Sequence, residues 1–184
     1  MHRLVRVVAI GLAVIVAAVA LPGSAGAADP FDGARLVWTN EQTGLCMGVE
    51  GGDMTNGKAI MLWSCNNNAD QIWTATSANS DGSQPYLFRN GANPDKCLSV
   101  AGKSLSQGAA LVIWDCKPAN DNQDQRWLIV GWPHSPFTGI QNDNSDLYAT
   151  ASWDLWSQIY RVKQRSIPQN AAGLSYWNHS PAPW

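Results

Sequence analysis

SCNNNADQIW, residues 64–73, returns further along the chain as DCKPANDNQDQRW, residues 115–127. Both stretches hold a Cys, a polar run rich in Asn and Asp, and then Gln-x-Trp. Working outward, LCMGVEGGDMTNGKAIMLWSCNNNADQIW lies over KCLSVAGKSLSQGAALVIWDCKPANDNQDQRW with Cys46 on Cys97, Trp63 on Trp114 and Cys65 on Cys116, all at an offset of 51. Gln71 and Trp73 fall on Gln125 and Trp127 at 54, after a three-residue insertion. So many markers in one register identify an internal repeat, and the repeat is the unit from which the fold is built.

A third copy is expected about 50 residues later, where NSDLYATAS stands. Leu147 takes the place of the first Cys there, and Trp177 of LSYW takes the place of the Trp in Gln-x-Trp. This copy is degenerate, having neither Cys nor Gln-x-Trp. Units at roughly 36–80, 86–130 and 137–184, joined by the polar segments TSANSDGSQP and GWPHSPF, fill the chain beyond residue 27.

Within each unit the texture is that of strands. LVW, CMGV, AIMLW, QIW, YLF, CLSV, ALVIW and RWLIV are short runs rich in β-branched and aromatic residues, set between Gly, Asn, Asp and Pro. No window sustains helical periodicity. Three pseudo-repeats of about four strands predict an all-β barrel with internal threefold symmetry, its third repeat degenerate. Residues two apart on a strand share a face, so Gln71 points with Trp73 and Gln125 with Trp127. The indoles are expected to fill the core, and the amides to satisfy backbone groups beside them.

The first 27 residues carry Arg3 and Arg6, an apolar run from Val7 to Leu21, a Pro-Gly break and the small triplet Ala25-Gly26-Ala27. That pattern predicts a secretory signal peptide, residues 1–27, removed to leave a secreted domain of residues 28–184. The run is short for the roughly 20 apolar residues of a span, and no later stretch is long enough, so no membrane span is expected after cleavage. Losing two arginines takes the formal charge from −2 to −4. A weakly acidic chain with only 14% charged residues, against about 25% in an ordinary soluble protein, argues against nucleic acid as a partner. Such a surface works through neutral hydrogen bonds and aromatic faces, the chemistry that uncharged sugars require.

The two Cys pairs have the same separation of 19 residues. In an exported chain, bridges Cys46–Cys65 and Cys97–Cys116 are the simplest of three connectivities. The paired short spacings of zinc ligands are missing, and only His134 and His179 remain after cleavage, so neither metal nor other cofactor is expected.

Taken together, Cys-x18-Cys, the strands Ile60–Trp63 and Leu111–Trp114 ahead of the second Cys, and Gln71-Ile72-Trp73 with Gln125-Arg126-Trp127 resemble the ricin-type β-trefoil lectin domains. The resemblance covers the first two units strongly and the third weakly. It implies a β-trefoil that binds carbohydrate in one shallow pocket per repeat. Each pocket of that family has an Asp two residues after the first Cys, an aromatic before the second Cys, and an acidic or amide residue ahead of the Gln of Gln-x-Trp. Carried over, the implied carbohydrate-binding residues are Trp63, Asp70 and Gln71 in the first repeat and Trp114, Asp124 and Gln125 in the second. The Asp two residues after the first Cys is replaced by Gly48, Ser99 and Ala149, and the Gln two before the aromatic by Met61 and Val112. A buried, structural role for Trp63 and Trp114 is the competing reading.

GDMTNGKA, residues 52–59, nearly spells a phosphate-binding loop, but ends in Ala59 and runs into a strand-like segment, so a turn is expected. No catalytic signature stands out, and Asn178-His179-Ser180 is given no role as a glycosylation site. The reading is a secreted monomer with a carbohydrate partner. Its rivals are a targeting subunit for a separate secreted protein partner, and a hydrolase inhibitor acting through the NSDGSQP or WPHSPF loop.

Overall fold

A computed structural model describes residues 30–131, 138–167 and 175–182; residues 1–27 and the WPHSPF loop, for which expectations were stated, lie outside them. The β-branched and aromatic runs become twelve strands. The first repeat holds β1 (Arg35–Asn40), β2 (Cys46–Val49), β3 (Ile60–Trp63) and β4 (Ile72–Ser77). The second holds β5 (Tyr86–Asn90), β6 (Lys96–Val100), β7 (Leu111–Asp115) and β8 (Trp127–Gly131), and the third β9 (Thr138–Asn142), β10 (Tyr148–Asp154), β11 (Ile159–Arg165) and β12 (Trp177–Pro181). The first and fourth strands of each repeat pair antiparallel in the ring β1-β4-β5-β8-β9-β12, which closes through Leu36↔Pro181 to Asn40↔Trp177. Closure leaves the ring without a free edge. The second and third strands form three hairpins that cap one end and meet around the pseudo-threefold axis at Tyr160↔Leu62, Ala59↔Val112 and Ala110↔Lys163. This is the expected β-trefoil.

Three fully buried tryptophans hold the repeats in equivalent poses. The indole N–H of Trp73 donates to the Met47 carbonyl at 3.0 Å, that of Trp127 to Leu98 at 3.1 Å and that of Trp177 to Ala149 at 2.9 Å. Around them pack Leu36, Ile60, Phe88, Ile113, Ile140 and Val162. Trp177 therefore is the third counterpart of the Gln-x-Trp indole, as its sequence position suggested. The register ahead of it needs a correction of one residue. Ala149 matches Met47 and Leu98, so Tyr148, not Leu147, stands where the first Cys stands, and Tyr148 pairs with Gln141 as Cys97 pairs with Arg89. The counterpart of Gly48 and Ser99 is then Thr150, not Ala149. A slip of one turns a strand over, and it is the buried Ala149 that faces the core.

Cys46–Cys65 and Cys97–Cys116 are both formed. A second threefold set, not anticipated from sequence, is Asn40, Asn90 and Asn142 at the ends of β1, β5 and β9. All three are buried and donate to carbonyls of a neighbouring turn: Asn40 to Tyr176, Asn90 to Asp70, Asn142 to Asp124 and Arg126. Their recurrence every 50 or 52 residues was the available signal.

Candidate functional site

The second repeat builds a pocket from its hairpin and the segment that follows. Pairing of Cys97 with Trp114 and of Ser99 with Val112 sets β6 against β7. The chain after Cys116 then returns through a 3-10 turn, Gln123–Gln125, that tucks Asp124 and Gln125 beneath β6. Gln125 is buried and fully engaged: its amide oxygen accepts the Lys117 backbone N–H at 2.8 Å, and its NH2 donates to the Asp115 carbonyl at 2.9 Å and the Ser99 hydroxyl at 2.7 Å. The Ser99 hydroxyl in turn donates to the Cys97 carbonyl at 3.1 Å. Both oxygens of the buried Asp124 carboxylate accept from Lys117 Nζ at 2.8 Å.

Above this floor Ser99, Val100, Gly102, Lys103, Trp114, Lys117 and Asp124 line an open pocket of about 330 Å³. Trp114 forms one wall with 41% of its surface exposed, so its face is available to a ligand. Lys103 at the rim is paired with Asp121, whose hydrogen bond pushes the ammonium above its ordinary range. The pocket thus presents an aromatic face, a charged acceptor and ammonium donors within one small volume, over a floor in which the Ser99 hydroxyl is already bonded.

The first repeat repeats the frame with a tighter packing at its centre. Gly48 stands where Ser99 stands, and a Cβ built there would lie 2.9 Å from Trp63 Cζ2, Asp70 Oδ2 and Gln71 Cγ. Trp63, half-buried, and Asp70 have closed over the space that a side chain at 48 would fill. Gln71 is again bound to backbone, accepting from Asn66 N and donating to Ser64 O at 3.0 Å each. Asn66 occupies the position of Lys117, so no ammonium reaches Asp70. One Asp70 oxygen has no hydrogen-bond partner, and burial pushes its carboxyl above the ordinary aspartate range.

That shift fixes a pH dependence. The unfolded chain ionises Asp70 near the ordinary value of about 3.9, before the folded chain does. The folded state is therefore favoured at acid pH and loses that advantage as pH rises through the raised folded value. Asp70→Asn is expected to melt above the parent at neutral pH, with the gap closing as thermal melts are repeated below the ordinary aspartate range. A gap independent of pH would show that the gain has another origin.

Of the six residues implied by the resemblance, then, Trp114 and Asp124 line one open pocket, Trp63 and Asp70 pack together over Gly48, and Gln71 and Gln125 are buried, Gln71 bonded to backbone and Gln125 to backbone and the Ser99 hydroxyl. Gln71 and Gln125 end short 3-10 turns rather than begin strands, and act by positioning their neighbours. In the third repeat Arg165, paired with Tyr148, stands in the aromatic position, and Ser175 replaces the Gln, sharing a 2.9 Å bond with Thr150. Lys117 and Lys103 were missed; a Lys directly after the second Cys was the one visible hint. Within residues 52–59 the chain turns between a 3-10 helix ending at Gly52 and the β-bridge at Ala59, and Asp53 is held down to about 2 by hydrogen bonds from Thr55 and Lys58. The NSDGSQP loop is knitted internally through Ser77, Asn79, Asp81 and Ser83. Among the described residues no three His, Cys, Asp or Glu side chains gather as a metal site, and no helix is long and apolar enough to cross a membrane.

A family model described as the ricin-type beta-trefoil lectin domain matches residues 36–130, just over half of the chain. The agglutinin of Ricinus communis is 30% identical over 148 residues, covering 77% of this chain and 23% of its own length. The chain spans less than a quarter of the length of the curated relatives it matches. Among solved structures, the designed threefold-symmetric protein ThreeFoil superposes with a TM-score of 0.68 at 16% identity, over 79% of this chain and 96% of its own. The Rhizoctonia solani agglutinin superposes with a TM-score of 0.64 at 14% identity, over 90% of this chain and 99% of its own. At such identities these likenesses speak for the fold.

Proposed function

The chain belongs to the ricin-type β-trefoil lectin family, and from that premise we propose that it is a secreted, monomeric, non-catalytic protein that binds carbohydrate through the pocket of its second repeat. The observation that carries this reading is the exposed face of Trp114 standing over the Asp124–Lys117 pair. A pyranose offers one apolar C–H face, which an indole rewards, and a ring of hydroxyls, which a carboxylate accepts through charge-assisted hydrogen bonds. Lys117 supplies a donor for a ring or hydroxyl oxygen, and Ser99 sits where the family's discriminating Asp would be. The reading is narrower than the two-site expectation from sequence, and the packing of Trp63 and Asp70 onto Gly48 supports the second repeat over the first. Export follows the signal pattern of residues 1–27, and two cystines suit an oxidising compartment.

The test is calorimetric titration of the oxidised protein with a panel of mono-, oligo- and polysaccharides. Trp114→Ala is expected to weaken binding by about tenfold or more, the equivalent of one stacked ring, while Trp63→Ala leaves affinity within about twofold of the parent. Affinity retained in a folded Trp114→Ala protein overturns the assignment of the site. A folded parent that binds no glycan overturns the reading itself and favours a protein partner, in keeping with the replacement of the family's Asp by Gly48 and Ser99.

A further inference from the structure

The third repeat departs from the other two at its hairpin. Pairing of β2 with β3 stops at Val49↔Ile60 and of β6 with β7 at Val100↔Leu111, and loops take over. The equivalent pair in the third repeat is Ala151↔Val162, but β10 and β11 continue through Ser152↔Arg161, Trp153↔Tyr160 and Asp154↔Ile159. Three further pairs carry the turn roughly 10 Å farther out. At its end Leu155 is 80% and Trp156 97% exposed, and Trp153 just behind them is 47% exposed. These are three of the five exposed large hydrophobics among the described residues.

The turn is built, not loose. The Asp154 carboxylate accepts from Trp156 N at 3.1 Å, Ser157 Oγ at 2.8 Å and Arg161 Nε at 3.0 Å. Those bonds, that from Ser157 foremost, hold the carboxyl down to about 2. Trp153 packs edge-on against Tyr160, with ring centroids 4.9 Å apart. Behind the rings, on the alternate positions of β11, come Arg161, Lys163 and Arg165. Arg161 is paired with Asp154 and Glu50, whereas Lys163 and Arg165 make no ion pair among the described residues, Arg165 reaching only the Ser152 hydroxyl at 3.5 Å.

The order along the hairpin is thus an apolar tip, then two amphipathic aromatic rings, then free cations. That is the order met on entering a bilayer from water in reverse: acyl chains deepest, the interfacial zone that Trp and Tyr prefer, and headgroup phosphates. Leu155 argues the same way, since an aliphatic tip has nothing to offer sugar hydroxyls. We propose that the β10–β11 hairpin seats Leu155 and Trp156 in the outer layer of a phospholipid bilayer, with Lys163 and Arg165 meeting anionic headgroups. This site is separate from the Trp114 pocket and does not depend on it.

The test is co-sedimentation of the purified oxidised protein with vesicles of phosphatidylcholine, with and without phosphatidylglycerol. The parent is expected to bind the mixed vesicles, and Leu155→Ser/Trp156→Ser to lose at least about tenfold in partitioning while melting at the parent's temperature. Lys163→Glu/Arg165→Glu is expected to abolish the preference for phosphatidylglycerol and to leave residual binding to phosphatidylcholine vesicles. A parent that ignores both vesicles, or a tip variant that sediments like the parent, overturns the proposal. So does a tip variant that instead loses retention on insoluble polysaccharide, which would assign the tip to a glycan.

Discussion

Trp127→Ala is expected to be about 4 kcal/mol less stable than the parent and to melt roughly 10 °C lower. Trp127 is fully buried, pairs with Tyr86 across the β5–β8 seam of the ring, and donates its indole N–H to the Leu98 carbonyl. Alanine removes the ring that fills the space between the barrel and the second hairpin, and leaves that carbonyl without its donor. Trp127→Phe separates the two contributions: it keeps most of the packing and orphans the carbonyl, a loss of about 1–3 kcal/mol. Urea titration of the three proteins checks both values. A change below about 1 kcal/mol for alanine would contradict a tightly packed indole here. Trp63→Ala, half-buried on the surface of a hairpin, makes the contrast.

The second large effect is expected from Cys97→Ser/Cys116→Ser, at about 3 kcal/mol, the loop-closure value for a bridge across 19 residues. Its functional reading differs from that of Cys46→Ser/Cys65→Ser, for which the same length predicts the same loss of stability. Cys116 sits beside Asp115, whose carbonyl Gln125 holds, and beside Lys117, which clamps Asp124. Releasing it frees the segment that forms the pocket floor. Glycan affinity should therefore fall in the second-repeat variant and not in the first, when both are titrated well below their melting temperatures. Equal losses in the two variants would mean that the bridges matter through global stability alone.

The fold was legible because the repeat is written in residues that the backbone needs. Each Gln-x-Trp has one amide tied to main chain and one indole tied to main chain, so those residues recur wherever the architecture does. The cystines recur for the same reason, and the evenly spaced strands follow. Legibility failed in the third repeat, where neither Cys nor Gln was left to mark the register and Leu147 was aligned one residue early. It also failed at the sites. Trp63 and Trp114 look equivalent as letters; what separates them is Gly48 against Ser99 and Asn66 against Lys117, differences that acquire meaning only when the side chains are brought together across a hairpin. The projecting third hairpin carries no Asn-Gly or Gly-Gly turn to announce it; the left-handed position is taken by Gln158, with φ +52°.

The indoles of Trp73, Trp127 and Trp177 bind carbonyls, and the residues owning those carbonyls are Met47, Leu98 and Ala149. A partner chosen for its peptide group asks of its side chain only that it fit an apolar core, and Met, Leu and Ala, which differ in size, occur there. The framework is in this sense indifferent to most of what surrounds it. Once these main-chain clamps are in place, each third of the molecule can differ on its own, and one scaffold carries a repeat with an open pocket, a repeat packed tight over Gly48, and a repeat with a projecting finger.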